Sequence, residues 1–186
     1  MKRSEFLKRK IANYLRKEQL LKKQEYTKLE KPFLAKARKN FALASLMFKI
    51  SEQDDFKKAL ELPESFETYE WVIIVSYYGM YTSALAALAK LGFKSKSHAA
   101  TIAVLEHHYV RKEKLKAKHV DNLSKAYTLS EKLITKLVET KTKRETAQYD
   151  ATPAISREMA KTALADTDEF VTKVEEILSS YSNTRK

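Results

Sequence analysis

One segment constrains the fold more than any other: residues 68–91, TYEWVIIVSYYGMYTSALAALAKL, are apolar on nearly every face. The run Val-Ile-Ile-Val alone would suit a strand, but a length of about 24 residues and an alanine- and leucine-rich end favour a helix. A helix that is apolar all round lies at the centre of a bundle. Gly92 follows it, and glycine is the residue type most often found just past a helix C-terminus.

The composition also favours helices. The 186 residues include only 2 Gly and 3 Pro, which disfavours a turn-rich β fold, and 44% are hydrophobic, which suffices for a core. The absence of Cys excludes disulfides, thiolate metal sites and cysteine nucleophiles, and it suits a cytoplasmic protein. No uninterrupted run of 18 apolar residues is present, so we expect no membrane span and no membrane partner.

Weaker apolar patterns predict helices before the central one. Residues 3–29 have the pattern of a basic helix, and its thin apolar stripe should pack on a larger body or on a second subunit. A further helix should begin near Pro32, because proline suits the first turn of a helix.

Three more helices are predicted after the central one. The first is capped by Ser95 or Ser97, and a basic loop over residues 111–119 follows it. Asp121 caps the second, long helix, and the last one occupies about residues 153–180.

Short connections between these helices predict an all-α, up-and-down helical bundle with an extra basic helix at the N-terminus. The expected organisation is a basic arm over residues 1–30, the bundle over residues 31–182 and a short tail over residues 183–186.

Positive charge is concentrated near the N-terminus. The formal net charge is +12, and residues 1–40 carry a net of +10, whereas residues 41–186 carry only +2. This asymmetry favours a polyanion as partner. The same distribution would also suit a solvated helix face that keeps the protein soluble.

Motifs for metal and cofactor chemistry are missing from the sequence. Two glycines cannot build a phosphate-binding loop, and no His-Glu-x-x-His pattern is present. His107 and His108 are adjacent, so on a helix they point about 100° apart and cannot easily share one ion. We therefore expect no metal site and no cofactor.

The remaining histidines and the tyrosine string have structural interpretations. His98 is near a predicted helix start, where a capping or core role is expected, and His119 falls in the basic loop, where we expect it to be exposed to solvent. Tyr77, Tyr78 and Tyr81 fit a core or an interface better than a base-stacking platform.

Two stretches carry a resemblance to a known family. Residues 76–100, SYYGMYTSALAALAKLGFKSKSHAA, resemble a signature of Tyr-Tyr-Ala-Met-Phe, small residues, a leucine-rich turn, Gly and then Ser/Thr-His. Residues 143–151, KRETAQYDA, are similar to an Arg-x-x-Ala-Asp-Tyr-Asp element. Both features are typical of HEPN domains (higher eukaryotes and prokaryotes nucleotide-binding), and their order along the chain also matches. The resemblance covers about residues 32–180.

The resemblance implies a bundle of four or five helices that forms two-fold dimers. Many small HEPN proteins are encoded beside a minimal nucleotidyltransferase and act as its partner in toxin–antitoxin pairs. In ribonuclease members, an arginine followed after four to six residues by a histidine forms a composite site across the dimer, where RNA is cut without a metal. The implied partners are a second copy, a nucleotidyltransferase, and RNA or a nucleotide.

The family's site residues are carried over position by position. Arg144 matches the motif arginine, and Tyr149 and Asp150 match the Tyr-Asp pair, whereas Gln148 replaces the usual aspartate. With His98 of the first motif, these residues are the expected contacts to nucleotide or RNA. In a competing interpretation, the residues from Arg144 to Asp150 are polar positions near a helix end, with the tyrosine ring packed and its hydroxyl exposed.

The chain departs from the ribonuclease pattern at the histidine. No histidine follows Arg144, and seven residues separate Arg111 from His119. Arg144 and Tyr149 remain the best catalytic candidates, but neither suits proton transfer. Arginine can hold a phosphate through two hydrogen bonds but stays protonated, and tyrosine, with an ordinary pKa of about 10, is a poor base at neutral pH.

Three functions compete at this point. The leading one is a HEPN-type module with little or no catalysis, which dimerises and binds a nucleotidyltransferase partner close to RNA or nucleotide. The second is a metal-independent ribonuclease that combines Arg144 with His98 or His119. The third is a basic nucleic-acid-binding protein whose N-terminal arm does the binding, in which case the affinity should fall steeply with salt.

Overall fold

The computed structural model describes residues 2–143 and 155–183. The α-helices in these two ranges are α1 (Lys2–Arg16), α2 (Glu30–Glu52), α3 (Asp54–Ala59), α4 (Tyr69–Lys90), α5 (His98–Leu105), α6 (Ala117–Lys143) and α7 (Arg157–Asn183). Two short strands, β1 (Leu20–Lys22) and β2 (Phe93–Ser95), pair with each other.

The predicted all-α bundle is confirmed, with α4 at its centre. This helix packs along α2, α6 and α7. Its bounds agree with the predicted residues 68–91 to within one residue at each end, and Gly92 takes the positive φ of 75° that ends it. A Cβ at Gly79 would lie 2.9 Å from Cγ2 of Thr167 on α7. The glycine therefore lets α4 and α7 approach closely.

Burial explains the apolar character of α4. Among the described residues, it is the one helix whose length and composition would suffice to cross a membrane, with a mean hydropathy of 1.5 over its most apolar window. Within that window, 78% of the residues are buried inside the bundle. The centre of a bundle is apolar on all faces because neighbouring helices cover it. The position of α4 in the core thus accounts for its apolar surface.

The prediction of one helix over residues 3–29 is wrong, because α1 ends at Arg16. Glu18 takes a positive φ of 53°, and the chain then runs as β1, antiparallel to β2, with Leu20 opposite Ser95. Leu20 is fully buried in the core beside Phe93. These tertiary contacts favour an extended segment that the local helical pattern could not reveal. A 3₁₀ turn, Gln24–Leu29, then leads into α2, whose first turn contains Pro32 as predicted.

The N-terminal helix packs on the chain's own bundle. Leu7 and Ile11 are buried, and Ile11 belongs to the main core cluster. Arg111 donates a hydrogen bond of 2.5 Å from Nη1 to Oγ of Ser4. We expected this helix to pack on a larger body or on a second subunit, and in the structure it packs on the body of its own chain.

Differences from the sequence prediction also occur around α5 and α6. Ser97 caps α5, since its Oγ accepts a hydrogen bond of 3.1 Å from the backbone N–H of Ala100. The helix continues into a π-helical turn, Glu106–Val110. The predicted capping of α6 by Asp121 is wrong, because α6 begins at Ala117 and takes in the end of the predicted basic loop.

The last helix, α7, is confirmed in its middle and shifted at its start. Its first residue in the structure is Arg157, whereas Pro153, the predicted first residue, lies outside the described residues. Phe170, Val171 and Val174 are buried on the face that α7 turns to the bundle.

Candidate functional site

His98 sits in an aromatic cluster at the first residue of α5. Its ring stacks on Tyr127 of α6, with centroids 4.1 Å apart and planes 11° apart. The rings of Tyr77 and Tyr81 on α4 lie 6.2 and 6.0 Å from it. The cluster thus joins α4, α5 and α6 through four side chains, only one of which is a histidine.

The environment of His98 keeps its ring neutral. Both ring nitrogens are buried, and neither has a hydrogen-bond partner among the described residues. Burial lowers the pKa of His98 to about 4, because a charged ring would lose its hydration without gaining a partner. Of the two structural roles expected for this residue, the structure supports the core role, since Ser97 provides the helix cap.

The tyrosine string divides between core and surface. Tyr77 is buried and Tyr81 is half-buried, and burial raises the pKa of both phenols. Tyr78 is 43% exposed, although its ring lies 5.2 Å from that of Tyr77. The predicted core role therefore holds for Tyr77 and Tyr81, while Tyr78 is on the surface.

The prediction that His119 is exposed in a loop is wrong. Its side chain is 4% exposed and lies in the first turn of α6. Nε2 is 2.9 Å from Oε1 of Glu169 on α7, and Nδ1 accepts from the backbone N–H of Lys116 at 3.3 Å. Hydrogen bonds from Lys118 and His119 lower the pKa of Glu169 to about 2. The ring is fixed between α6 and α7, with both nitrogens occupied.

The last two histidines lie in the π-helical turn. The rings of His107 and His108 meet edge to face, with centroids 4.7 Å apart. The described residues contain no group of three or more metal-ligating side chains that could hold an ion. Phe93 of β2 packs beside His108 at 5.7 Å between ring centroids. These histidines belong to the surface near α1 rather than to the aromatic cluster of His98.

A groove of about 350 Å³ opens between α6 and α7. Ile73 and Met80 of α4 line it, and both side chains are buried. Nδ2 of Asn122 donates a hydrogen bond of 2.9 Å to Oδ1 of Asp166, so a polar pair bridges the two helices within the lining. Mostly apolar concavities with a few polar groups are the usual form of small-ligand sites. This groove is the candidate ligand site within the described part of the chain.

A polar network lies where α2, α4 and α7 meet. Arg157, the first residue of α7, donates from Nε to Oε2 of Glu52 at 2.6 Å, and the hydroxyl of Tyr69 donates to Oε1 of the same carboxylate at 2.7 Å. The hydrogen bond from Arg157 lowers the pKa of Glu52. Burial, with Glu52 nearby, raises the pKa of Tyr69 to about 12. Sequence reasoning missed this network, because its members are far apart in the chain and form no local motif.

The predicted contacts Arg144, Gln148, Tyr149 and Asp150 lie outside the described residues. Their role therefore stays a prediction. In the chain they fall between α6 and α7, the two helices that form the groove.

A comparison with protein-family models matches the HEPN domain to residues 49–177, which are 129 of the chain's 186 residues. The chain belongs to the HEPN domain family. No curated protein matches the chain. The HEPN match begins near the end of α2 and finishes in α7, so it is shorter than the predicted resemblance from residue 32 to residue 180.

Residues 49–177 include the candidate functional features but not the N-terminal helix and strand. The aromatic cluster of His98, the groove and the predicted contacts all fall within residues 49–177. The helix α1 and the strand β1 precede this range. HEPN membership indicates a nucleotide- or RNA-related module. The basic N-terminal region thus lies before the matched residues.

Proposed function

We propose that this chain is a HEPN module that contacts RNA or nucleotide phosphate without cutting RNA, and that acts as a homodimer with a nucleotidyltransferase-type partner. Family membership supports a nucleotide- or RNA-related role. The non-cleaving part of the proposal rests on the burial and hydrogen bonding of the chain's 4 histidines, all of which lie in the described residues.

Metal-free RNA cleavage needs a base for the 2′-hydroxyl and an acid for the leaving oxygen. Both nitrogens of His98 are buried, and both nitrogens of His119 are occupied by hydrogen bonds. His107 and His108 lie in a turn before Arg111, and a histidine at the required distance after an arginine is absent from the sequence. These conditions favour binding over cleavage, and the ribonuclease alternative with His98 or His119 loses support.

The proposed phosphate contacts are Arg144, Gln148, Tyr149 and Asp150. An arginine can hold a phosphate through two parallel hydrogen bonds, which gives both affinity and orientation. The groove between α6 and α7 offers an apolar surface beside the helices that flank these residues in the chain. A mostly apolar groove of this kind suits the ring faces of a nucleotide base.

Exposed apolar side chains on α2 and α4 support the homodimer. Leu43 and Leu46 lie one turn apart on α2, and Trp71 and Tyr78 lie two turns apart on α4. All four side chains are exposed, Trp71 to 47%. We call these four residues the α2–α4 face. Exposed aromatic and aliphatic side chains on packed neighbouring helices are typical of association surfaces.

The α2–α4 face points away from α7. Arg38 of α2 forms an ion pair with Glu175 of α7, and the backbone carbonyl of Ser76 on α4 accepts a hydrogen bond from Thr167 of α7 at 3.1 Å. At 100° per residue, Leu43 lies about 140° around α2 from Arg38, and Tyr78 about 160° around α4 from Ser76. Leu43 and Tyr78 therefore lie on the sides of α2 and α4 away from these contacts with α7, and all four side chains of the face are exposed to a second copy.

Dilution of the protein should dissociate the dimer and so expose Trp71, the only tryptophan in the chain. We expect its fluorescence emission to lie at shorter wavelength at high protein concentration and to shift to longer wavelength as the dimer dissociates. The change Leu43→Lys should abolish this shift and give a monomer in analytical ultracentrifugation, because a charge would be buried at the interface.

The matched control is Leu60→Lys, which changes another exposed leucine directly after α3, outside the α2–α4 face. It should dimerise like the unchanged chain. A monomer at all concentrations, or a dimer that Leu43→Lys leaves intact, would contradict the assignment of this face.

The nucleotidyltransferase partner is tested by co-purification. The tagged chain is expressed with the product of the adjacent gene, and bound proteins are identified by mass spectrometry. We expect a small nucleotidyltransferase at stoichiometric amount. If neither the adjacent gene nor the bound fraction contains one, the partner assignment fails, whereas the RNA contact remains to be judged by its own measurement.

A further inference from the structure

A second charged surface surrounds His107 and His108, outside the predicted contacts of the HEPN motif. Both rings are half-buried in the π-helical turn. The cations that act on them come from α1, from β1 and from the turn that follows. They are Lys8, Lys22, Arg111 and Lys112. We call these four residues and the two histidines the basic surface.

Contacts join the elements that carry these cations. Nη1 of Arg111 lies 2.5 Å from Oγ of Ser4 on α1, and the ring of Phe93, which is 5.0 Å from the ammonium of Lys22, lies 5.7 Å from the ring of His108. Burial lowers the pKa of His107, and Arg111, Lys8 and Lys112 lower it further. Burial, His107, Lys112 and Lys22 lower the pKa of His108 to about 4. The rings thus lie in a positive field and remain neutral at physiological pH. This positive field would attract an anion.

Carboxylates do little to neutralise the basic surface. Glu106 is in the same turn and faces Arg3 at 3.7 Å, so its charge is partly engaged, and Glu113 follows in the next turn. Among the described residues, Lys8, Lys22 and Lys112 take part in no ion pair. Exposed cations without carboxylate partners are available to an external polyanion.

The fold holds these cations in place. Burial of Leu7 and Ile11 fixes α1 against the bundle, and the ladder between β1 and β2 fixes Lys22. The ammonium of Lys22 lies 5.0 Å from the ring centroid of Phe93. The N-terminal excess of positive charge is therefore displayed on an ordered surface, so binding would not require the ordering of a free arm.

Aromatic rings accompany the cations. The rings are those of His107 and His108, which are half-buried, with Nδ1 of His107 fully buried. A positive surface with partly exposed rings is typical of sites for single-stranded nucleic acid, since unpaired bases are free to stack.

We propose that the basic surface is a docking site for single-stranded RNA, held through its phosphates by Lys8, Lys22, Arg111 and Lys112. The choice of RNA rests on the proposed function. The surface acts in addition to the predicted contacts from Arg144 to Asp150, and it extends the RNA path beyond the family domain to α1 and β1.

The test compares three forms of the full chain in binding to a labelled 20-nucleotide RNA. The test variant combines Lys8→Glu, Lys22→Glu and Lys112→Glu. The control variant reverses three exposed lysines on other helices and has the same net charge. Its changes are Lys58→Glu, Lys132→Glu and Lys161→Glu. Circular dichroism checks that both variants are folded.

We expect the test variant to bind RNA at least tenfold more weakly than the control variant. Its slope of log affinity against log salt should fall by about 2, because each lost phosphate contact on a single strand contributes about 0.7. If the unchanged chain binds no RNA, the proposed function fails. If it binds RNA and both variants weaken equally, only the basic surface is overturned.

Competition and NMR complete the test. A DNA oligomer that binds tenfold more tightly than the RNA, or anionic phosphatidylserine vesicles bound in place of RNA, would overturn the assignment to RNA. Added RNA should shift the ring signals of His107 and His108 and leave those of buried His119 unchanged. A shift confined to other histidines would contradict the docking site.

Discussion

Replacing Phe170 with alanine is expected to lower the free energy of unfolding by about 4 kcal/mol. Phe170 on α7 is fully buried and belongs to the main core cluster. Its ring also meets His119 edge to face, with centroids 6.4 Å apart. Its removal would leave a cavity between α7 and the first turn of α6. This ring thus packs α7 against the start of α6.

Urea denaturation followed by circular dichroism measures the effect of Phe170→Ala. The matched control is Phe6→Ala, which removes the same side chain from a position that is 61% exposed on α1. Exposed substitutions of this kind change stability by less than about 0.5 kcal/mol. Equal stabilities for the two variants would contradict the position of α7 in the core.

Acid should destabilise the fold before most carboxylates titrate. The pKa values of His98 and His108 are about 4 in the folded chain, against 6.5 for an ordinary histidine. Between pH 6.5 and pH 4 the unfolded chain binds these two protons and the folded chain does not, so stability falls as pH falls. After allowance for solvent screening, we expect a loss of about 3 kcal/mol across this window.

The carboxylate Glu169 extends this loss to lower pH. Its pKa of about 2 lies below its ordinary value of 4.5, so its contribution is present above pH 4.5 and is lost as pH falls towards 2. Thermal melts from pH 7 to pH 2 separate the two windows.

The variant His98→Phe keeps an aromatic ring in the stack with Tyr127 and removes the titrating group. It should flatten the decline in melting temperature between pH 6.5 and pH 4 relative to the unchanged chain. If the melting temperature of His98→Phe fell as steeply as that of the unchanged chain, the burial of His98 would not be the cause of the acid sensitivity.

The sequence predicted the features of the fold that depend on local pattern. The central helix α4 was visible in its apolar composition and in Gly92, and the two motifs around Tyr77 and Arg144 pointed to the HEPN family. The preference of serine for helix caps indicated Ser95 or Ser97, and Ser97 is the cap. These features need no knowledge of distant neighbours.

Tertiary contacts decided the features that the sequence did not predict. The segment after Arg16 leaves the helix because Leu20 and Phe93 enter the core together. His119 is buried because Glu169, 50 positions later, is its partner. Both contacts join residues that are far apart in the chain, where local propensity gives no signal.

The candidate site shows the same limits of sequence reasoning. The apolar faces of α6 and α7 were predicted, but the groove arises from the separation of these helices above Ile73 and Met80. The roles of Arg144, Gln148, Tyr149 and Asp150 rest on the family motif.

The central claim is that this HEPN protein binds RNA and leaves it intact. The most direct measurement incubates a labelled single-stranded RNA with the purified chain in EDTA, then runs one half of each sample on a native gel and the other half on a denaturing gel. We expect a shifted band on the native gel and full-length RNA on the denaturing gel. Metal-independent cleavage by the unchanged chain that disappears in Arg144→Ala would contradict it.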